Sequence, residues 1–233
     1  MTIVLLPGMD GTGLMFSPFI EYLPKEWNVV VARYPESEAL GYLQLAKLAS
    51  ELIPGSGDYV LVGESFSGPI AVSLAATADE RLKALILCCS FVRSPIEYGA
   101  LGVRYLSFLP LSSFPFSPIE YWLFGRFRTE AGSSLLRSAL DRVSHSVLGY
   151  RIREVLSVDV SAELEKVKAP ILYLRATEDH LVPEKSSLEV ANFARNFALV
   201  DLAGPHCLLQ ACPNQAAAAV HEFMVENGAE NRL

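Results

Sequence analysis

The chain has 233 residues, a hydrophobic fraction of 51% and a formal net charge of −7. This length and hydrophobic content allow one α/β domain with a well-buried sheet, and they argue against two independent domains. The acidic balance and the lack of any run of Lys or Arg argue against a nucleic-acid partner, because binding of nucleic acid needs a basic stripe.

Neither an export signal nor a membrane span is expected. The first residues lack a positively charged stretch, the apolar run at 3–6 is too short for a signal peptide, and no apolar stretch reaches transmembrane length. The four cysteines have neither zinc-ligand spacing nor the pattern of a secreted disulfide framework. We therefore expect a cytoplasmic protein without a metal, in which Cys88 and Cys89 are buried as small hydrophobic residues.

Apolar strand-like runs alternate with helix-like segments along the chain, which is the pattern of a parallel sheet covered on both faces. The runs predict six strands, at residues 2–6, 28–32, 59–62, 84–89, 171–175 and 197–202. Helices fill the gaps, and two are well marked, at 41–53 and at 213–225. We expect an α/β fold with a mainly parallel sheet of about six strands.

A glycine-rich turn, Pro7-Gly8-Met9-Asp10-Gly11-Thr12-Gly13, follows the first predicted strand. Such a turn can hold backbone amides outward, and the amide of Met9 is then a candidate oxyanion donor. A dinucleotide-binding loop is the rival interpretation, but the glycine spacing does not match its fingerprint. Asp10 is expected to stabilise the Asp-Gly turn, with a polar contact to substrate left open.

The sequence Gly63-Glu64-Ser65-Phe66-Ser67 lies between a predicted strand and a helix-like run at 69–78, and it indicates a nucleophile elbow. A sharp turn needs small residues two positions before and after its apex, and Gly63 and Ser67 meet that need. Ser65 would then present its hydroxyl above the sheet, with the amide of Phe66 as an oxyanion donor. Glu64 could contact substrate or serve the structure.

Two further polar residues follow later strands, in the chain order Ser, Asp, His that accompanies a nucleophile elbow. Asp179 follows the strand predicted at 171–175, and His206 follows the strand predicted at 197–202. Glu178 is an alternative for the acid. The remaining histidines, at positions 145, 180 and 221, are expected on helices or at the surface.

The interval between the fourth and fifth strands is too long for a simple crossover, so we expect an inserted helical cap at 94–160. It is rich in aromatic residues: Tyr98, Tyr105, Phe108, Phe114, Phe116, Tyr121, Trp122, Phe124 and Phe127. Most would pack the cap onto the sheet, but a lid this apolar favours an uncharged hydrophobic acyl or aromatic group, with Phe116 and Trp122 as candidate contacts. A peripheral membrane contact at 108–116 is the alternative.

These features together resemble the α/β-hydrolase family over nearly the whole chain. Pro7 stands where that family usually has histidine, and Ser67 where glycine is commonest. The resemblance implies a core at 1–93 and 161–233, and it implies that Ser65, Asp179 and His206 are the catalytic residues. The opening turn and the elbow are also similar to those of plant plastid hydrolase-like acyltransferases.

The expected activity is therefore hydrolysis of a small hydrophobic carboxylic ester or thioester by a serine nucleophile, without an organic cofactor. An acyltransferase, a C–C hydrolase and a perhydrolase are enzymatic alternatives on the same scaffold. A hydrolase-like ligand receptor without catalytic activity is the alternative outside enzymes. The presence of all three candidate catalytic residues favours an enzyme.

Overall fold

The computed structural model describes residues 1–96 and 116–228. Six strands form one sheet in the order β2-β1-β3-β4-β5-β6, and each neighbouring pair is parallel. The strands are β1 (Thr2–Leu6), β2 (Asn28–Val31), β3 (Tyr59–Glu64), β4 (Leu82–Cys88), β5 (Ile171–Glu178) and β6 (Phe197–Pro205). The predicted six-stranded parallel sheet is confirmed.

Helices cover both faces of the sheet, so the central strands are apolar along their whole length. In β1, Val4 faces one layer while Ile3 and Leu5 face the other. The first layer contains α2 (Tyr42–Ser50), α3 (Gly68–Ala75) and α8 (Glu184–Phe193). The second contains α1 (Ser17–Ile20), α9 (Leu208–Ala211) and α10 (Pro213–Glu226).

The β4–β5 connection, residues 89–170, carries four helices in its described part: α4 (Phe116–Phe124), α5 (Glu130–Leu140), α6 (His145–Val155) and α7 (Ser161–Leu164). Its two ends meet at an antiparallel bridge between Arg93 and Asp159, whose side chains form an ion pair at 3.1 Å. The connection therefore leaves and re-enters the sheet region at one place.

Apolar residues recur at helical spacing along 129–148, but two helices share this segment. Helix α5 ends at Leu140, and the Ser144 hydroxyl begins α6 by accepting a hydrogen bond from the Val147 amide. Val143 and Val147 then pack in a separate apolar cluster with Leu148. The apolar spacing continued across the break, so the pattern concealed the new helix start.

The outer strands β5 and β6 are longer than their apolar runs predicted. They stay paired as far as Glu178 and Pro205, beyond the ends expected at 175 and 202. The extensions are Ala176-Thr177-Glu178 in β5 and Ala203-Gly204-Pro205 in β6. Glycine, proline and glutamate are depleted in strands, so composition does not mark these strand ends.

No helix in the described ranges is long and apolar enough to cross a membrane. Four aromatic residues of the expected cap, at 98, 105, 108 and 114, lie outside the described residues. The same holds for the membrane-contact segment expected at 108–116, apart from Phe116.

Replacing Gly63 with Ala should destabilise the fold, because β3 and α3 pack closely at this position. A Cβ atom on Gly63 would lie 2.7 Å from Ala71 Cβ and 2.9 Å from the Ser67 carbonyl oxygen. We expect Gly63→Ala to lower the free energy of unfolding by about 1–3 kcal/mol in urea titrations. Gly55→Ala is the control, because its Cβ would have no atom within 4 Å. Equal unfolding midpoints for the two variants would contradict the close packing.

Candidate active site

Ser65 lies at the apex of the turn from β3 into a short 3-10 helix (Ser65–Ser67) that leads into α3. Its φ of 47° is in the left-handed region, which a residue with a side chain adopts only at a cost. The Ser67 hydroxyl bonds the Pro7 carbonyl, and Tyr34 Oη lies 2.8 Å from Ser67 Oγ. The elbow is thereby tied to the glycine-rich turn after β1.

Three side chains that are far apart in the sequence form a continuous hydrogen-bonded chain above the sheet. Ser65 Oγ lies 2.8 Å from His206 Nε2, and His206 Nδ1 lies 2.8 Å from Asp179 Oδ2. Asp179 Oδ1 also accepts hydrogen bonds from the amides of Leu181 and Val182, at 2.8 and 2.9 Å. The Asp179 carboxylate is thus fixed on one side by backbone donors and on the other by the imidazole.

Burial and charge have opposite effects on the pKa values of His206 and Asp179. Burial alone would lower the pKa of His206, but the charge and hydrogen bond of Asp179, together with Glu64, outweigh it and raise that pKa above its usual value. Burial likewise opposes ionisation of Asp179, but His206 and the two backbone donors hold its pKa below the ordinary range. Asp179 therefore stays ionised and favours the tautomer in which His206 Nδ1 carries the proton.

The alternative acid, Glu178, points away from this chain of hydrogen bonds. It forms an exposed ion pair with Arg126 at 2.8 Å, and the hydrogen bond from Arg126 lowers the pKa of Glu178. His180 stacks on Tyr121, with ring centroids 5.6 Å apart. His145 begins α6, and the fourth histidine lies on α10.

The glycine-rich turn is closed by its own hydrogen bonds. The Gly11 amide donates to the Gly8 carbonyl at 3.0 Å, and the Asp10 carboxylate accepts from the Thr12 amide at 2.9 Å. Asp10 therefore has the turn-stabilising contacts that the sequence predicted, and burial raises its pKa. Gly8 and Met9 line the same cavity as Ser65. The oxyanion-donor roles of the Met9 and Phe66 amides stay predictions.

A cavity of about 230 Å³ lies directly above Ser65 and His206. Its polar floor includes Asp10, Glu64 and Gln210. Its walls are apolar and come largely from the β4–β5 connection, with Ile119, Trp122, Leu123, Leu136, Leu140, Leu148 and Ile152. Such a site combines a polar reacting end with a hydrophobic binding wall.

The two predicted substrate contacts occupy different places. Trp122 lines the cavity above Ser65, although 57% of its surface is exposed, so it lies at the rim. Phe116 packs under Arg137, whose guanidinium carbon lies 3.9 Å from the centroid of the Phe116 ring. Phe116 also lines a second cavity of about 520 Å³. The aromatic composition of the segment did not distinguish these two environments.

Glu64 and Gln210 form a polar pair on the cavity floor. Gln210 Nε2 donates to Glu64 Oε1 at 2.9 Å and also to the Met15 carbonyl at 3.1 Å. Burial raises the pKa of Glu64 to about 7, against the opposing effects of the Gln210 hydrogen bond and the His206 charge. Sequence reasoning missed Gln210. Its position four residues after His206, on the short helix α9 that follows it, was the available signal.

Within residues 1–96 and 116–228, no group of three or more His, Cys, Asp or Glu side chains could hold a metal ion. The four cysteines are buried free thiols, and Cys88 ends β4 as a core residue.

Comparison with known proteins gives consistent results. The family model described as "Alpha/beta hydrolase family" matches residues 3–220. Phytyl ester synthase 1 (chloroplastic) of Arabidopsis thaliana is 33% identical over 106 residues, which is 41% of this chain and 15% of that protein. Polyketide synthase ThaQ of Burkholderia thailandensis is 23% identical over 228 residues, or 87% of this chain and 11% of that protein.

Both relatives are thus much longer than the part that this chain matches. Among solved structures, a thermophilic esterase from Thermogutta terrifontis superposes with a TM-score of 0.80 at 18% identity, covering 97% of this chain and 90% of that one. At this identity the likeness concerns the fold. The family model covers most of the chain, and the sheet order and the turn at Ser65 agree with it, so this chain belongs to the alpha/beta hydrolase family.

Proposed function

We propose that the chain is a serine hydrolase that cleaves carboxylic esters or thioesters with a hydrophobic acyl group. The observation that carries the proposal is the hydrogen-bonded chain from Ser65 through His206 to Asp179 at the floor of an apolar cavity. The first two residues are a nucleophile and a base in hydrogen-bond contact, and the third orients the base.

In this mechanism His206 Nε2 takes the proton of Ser65 as Oγ attacks the substrate carbonyl. The resulting oxyanion is stabilised by the amides of Met9 and Phe66. The protonated His206 then donates its proton to the leaving alcohol or thiol, which gives an acyl-enzyme. Water, activated by the same imidazole, releases the carboxylic acid and restores Ser65.

We further propose that residues 94–160 form a cap domain over a core at 1–93 and 161–233. Two observations support this division. The ends of the connection meet at the Arg93–Asp159 bridge, and its helices α4, α5 and α6 supply most of the apolar wall above Ser65. The cap would then choose the acyl group, while the core performs the chemistry.

Acyl transfer to an alcohol is the second candidate. Its support is the local similarity to a protein named phytyl ester synthase, together with an apolar cavity that would admit a hydrophobic alcohol. Both reactions pass through the same acyl-enzyme. Product analysis with a p-nitrophenyl ester and a long-chain alcohol separates them, because a hydrolase yields the free acid and a transferase yields the new ester.

Replacing Ser65 with Ala should abolish ester hydrolysis, because no other group would form the acyl-enzyme. We expect kcat for p-nitrophenyl esters to fall by about 10³-fold or more, with little change in the melting temperature. Fluorophosphonate should label the wild type at Ser65. Ser73→Ala on α3 is the control and should keep full activity. Turnover of Ser65→Ala above about one per cent of wild type would exclude it as the nucleophile.

Replacing Glu64 with Gln should move the acid limb of the pH profile to lower pH. His206 acts as a base only when neutral, so kcat/KM rises with pH through the pKa of His206. The negative charge of Glu64 raises that pKa, and Glu64→Gln removes the charge. The check is kcat/KM of both proteins from about pH 5 to pH 9. Glu178→Gln is the matched control, and an unmoved or upward-moved limb in Glu64→Gln would contradict the coupling.

Lengthening the acyl chain from two to about eight carbons should raise kcat/KM, since each buried methylene contributes up to about 0.8 kcal/mol. The gain should then stop, because a cavity of about 230 Å³ is small. Trp122→Ala should flatten this dependence more than it lowers activity on acetate, since a remote wall stabilises only the longer substrate's transition state.

Tyr121→Ala is the control for the cavity wall. Tyr121 is as exposed as Trp122, at 59%, but it stacks on His180. It should leave the dependence on chain length unchanged. If Trp122→Ala reduces acetate and octanoate hydrolysis by the same factor, the apolar wall does not select the acyl group.

A further inference from the structure

Arg151 is a buried arginine that the proposed chemistry does not use. It lies on α6, and only 1% of its surface is exposed. Its Nη1 donates to the carbonyls of Met9 and Asp10, at 2.8 and 2.9 Å, and its Nη2 donates to the Pro35 carbonyl at 3.0 Å. A buried guanidinium is costly unless its donors are used, and here Nη1 and Nη2 are used on backbone carbonyls, while the buried Nε has no hydrogen-bond partner.

The Arg151 guanidinium lies in a space that the glycine-rich turn leaves open. Gly11 has a φ of 72°, and a Cβ atom there would lie 2.6 Å from Arg151 Nη1. The guanidinium carbon lies 5.7 Å from the centroid of the Tyr34 ring. Attraction to the buried Asp10 carboxylate offsets part of the cost of burying the guanidinium charge. The side chain therefore fills a site formed by the glycine-rich turn itself.

Several parts of the fold donate hydrogen bonds to the glycine-rich turn, and Arg151 provides those from α6. The core provides two more, from the Ser67 hydroxyl to the Pro7 carbonyl and from the Tyr34 amide to the Gly11 carbonyl at 2.8 Å. Those contacts fix the two ends of the turn. Arg151 fixes its middle, where the Met9 and Asp10 carbonyls lie.

We infer that Arg151 is a positioning residue for the oxyanion turn. By holding the Met9 and Asp10 carbonyls, it fixes the peptide planes on either side of Asp10. The second of these planes contains the Gly11 N–H, which donates to the Gly8 carbonyl at 3.0 Å, and that carbonyl shares its peptide plane with the Met9 N–H. Arg151 thereby restrains the direction of the Met9 N–H through the turn. The inference rests on the proposed function, in which that N–H stabilises the oxyanion. Arg151 never touches substrate. It couples helix α6 to the stabilisation of the transition state.

The effect on rate follows from the geometry that an oxyanion hole needs. A donor acts only when it lies about 2.7–3.1 Å from the developing oxyanion, and a displacement of about 1 Å reduces the rate by about 10²-fold. The ground-state carbonyl depends much less on that alignment. Loss of Arg151 should therefore lower kcat and leave KM nearly unchanged.

The test uses the full chain with Arg151→Gln and Arg151→Lys, and kcat is expressed per site titrated with fluorophosphonate. We expect kcat on p-nitrophenyl acetate to fall about 10–100-fold in Arg151→Gln, with KM within about threefold of wild type. Arg151→Lys keeps a charged donor and should retain more activity. If the Gln variant does not fold, the Lys variant carries the comparison.

A trifluoromethyl ketone supplies a second readout that a purely structural role would not change. Ser65 Oγ adds to its carbonyl carbon, the serine proton passes to His206 Nε2, and the carbonyl oxygen becomes the bound oxyanion. Its inhibition constant should rise by the same factor by which kcat falls. Arg153→Gln, on the same helix with its guanidinium over Tyr150, is the matched control and should leave kcat and inhibition as in wild type.

The outcomes separate the two proposals. If the wild type neither hydrolyses esters nor binds the ketone, the proposed function fails. If the wild type does both, and folded Arg151 variants keep kcat and the inhibition constant within about twofold, the positioning role is wrong. A parallel change in KM, or loss of melting temperature with kcat per site unchanged, would likewise overturn it.

Discussion

The close contact between β3 and α3 at the Ser65 turn is the constraint on which the site depends. The chain reverses there within one residue, and it does so because Gly63 leaves room for the backbone of Ser67 and the side chain of Ala71. This packing holds Ser65 at a φ of 47°. His206 contacts its hydroxyl from the end of β6, and Asp179 contacts His206 from the end of β5.

The sequence was informative wherever one physical demand determined the residue type. Buried strands need continuous apolar runs, so the sheet was predictable. The elbow needs small flanking residues, so Ser65 was predictable with its partners at the ends of β5 and β6. The extensions of those strands and the break between α5 and α6 were not predictable, because the apolar pattern marks neither. Arg151 and Gln210 gave no composition signal, since their contacts depend on residues more than 110 positions away.

Acidic side chains lie close together at the floor of this otherwise apolar cavity. The carboxylates of Asp10 and Glu64 lie near the same face of Gly8, and burial raises the pKa of each. Beside them Asp179 remains ionised. Under the proposed function, these acidic groups would favour an uncharged substrate, since an additional anion would be repelled at short range. This electrostatic preference agrees with the apolar walls.

The site is also assembled from the whole length of the chain, which affects how the protein folds. Ser65 and His206 are 141 positions apart, and the strands they follow are not neighbours in the sheet. Parallel pairing over such separations is slow, because the loop entropy is lost before the contacts form. During synthesis the elbow exists before β6, and the edge of β5 is unpaired until β6 has emerged. A chain stopped short of β6 would therefore carry Ser65 without its hydrogen-bond partner His206, together with an open strand edge prone to association.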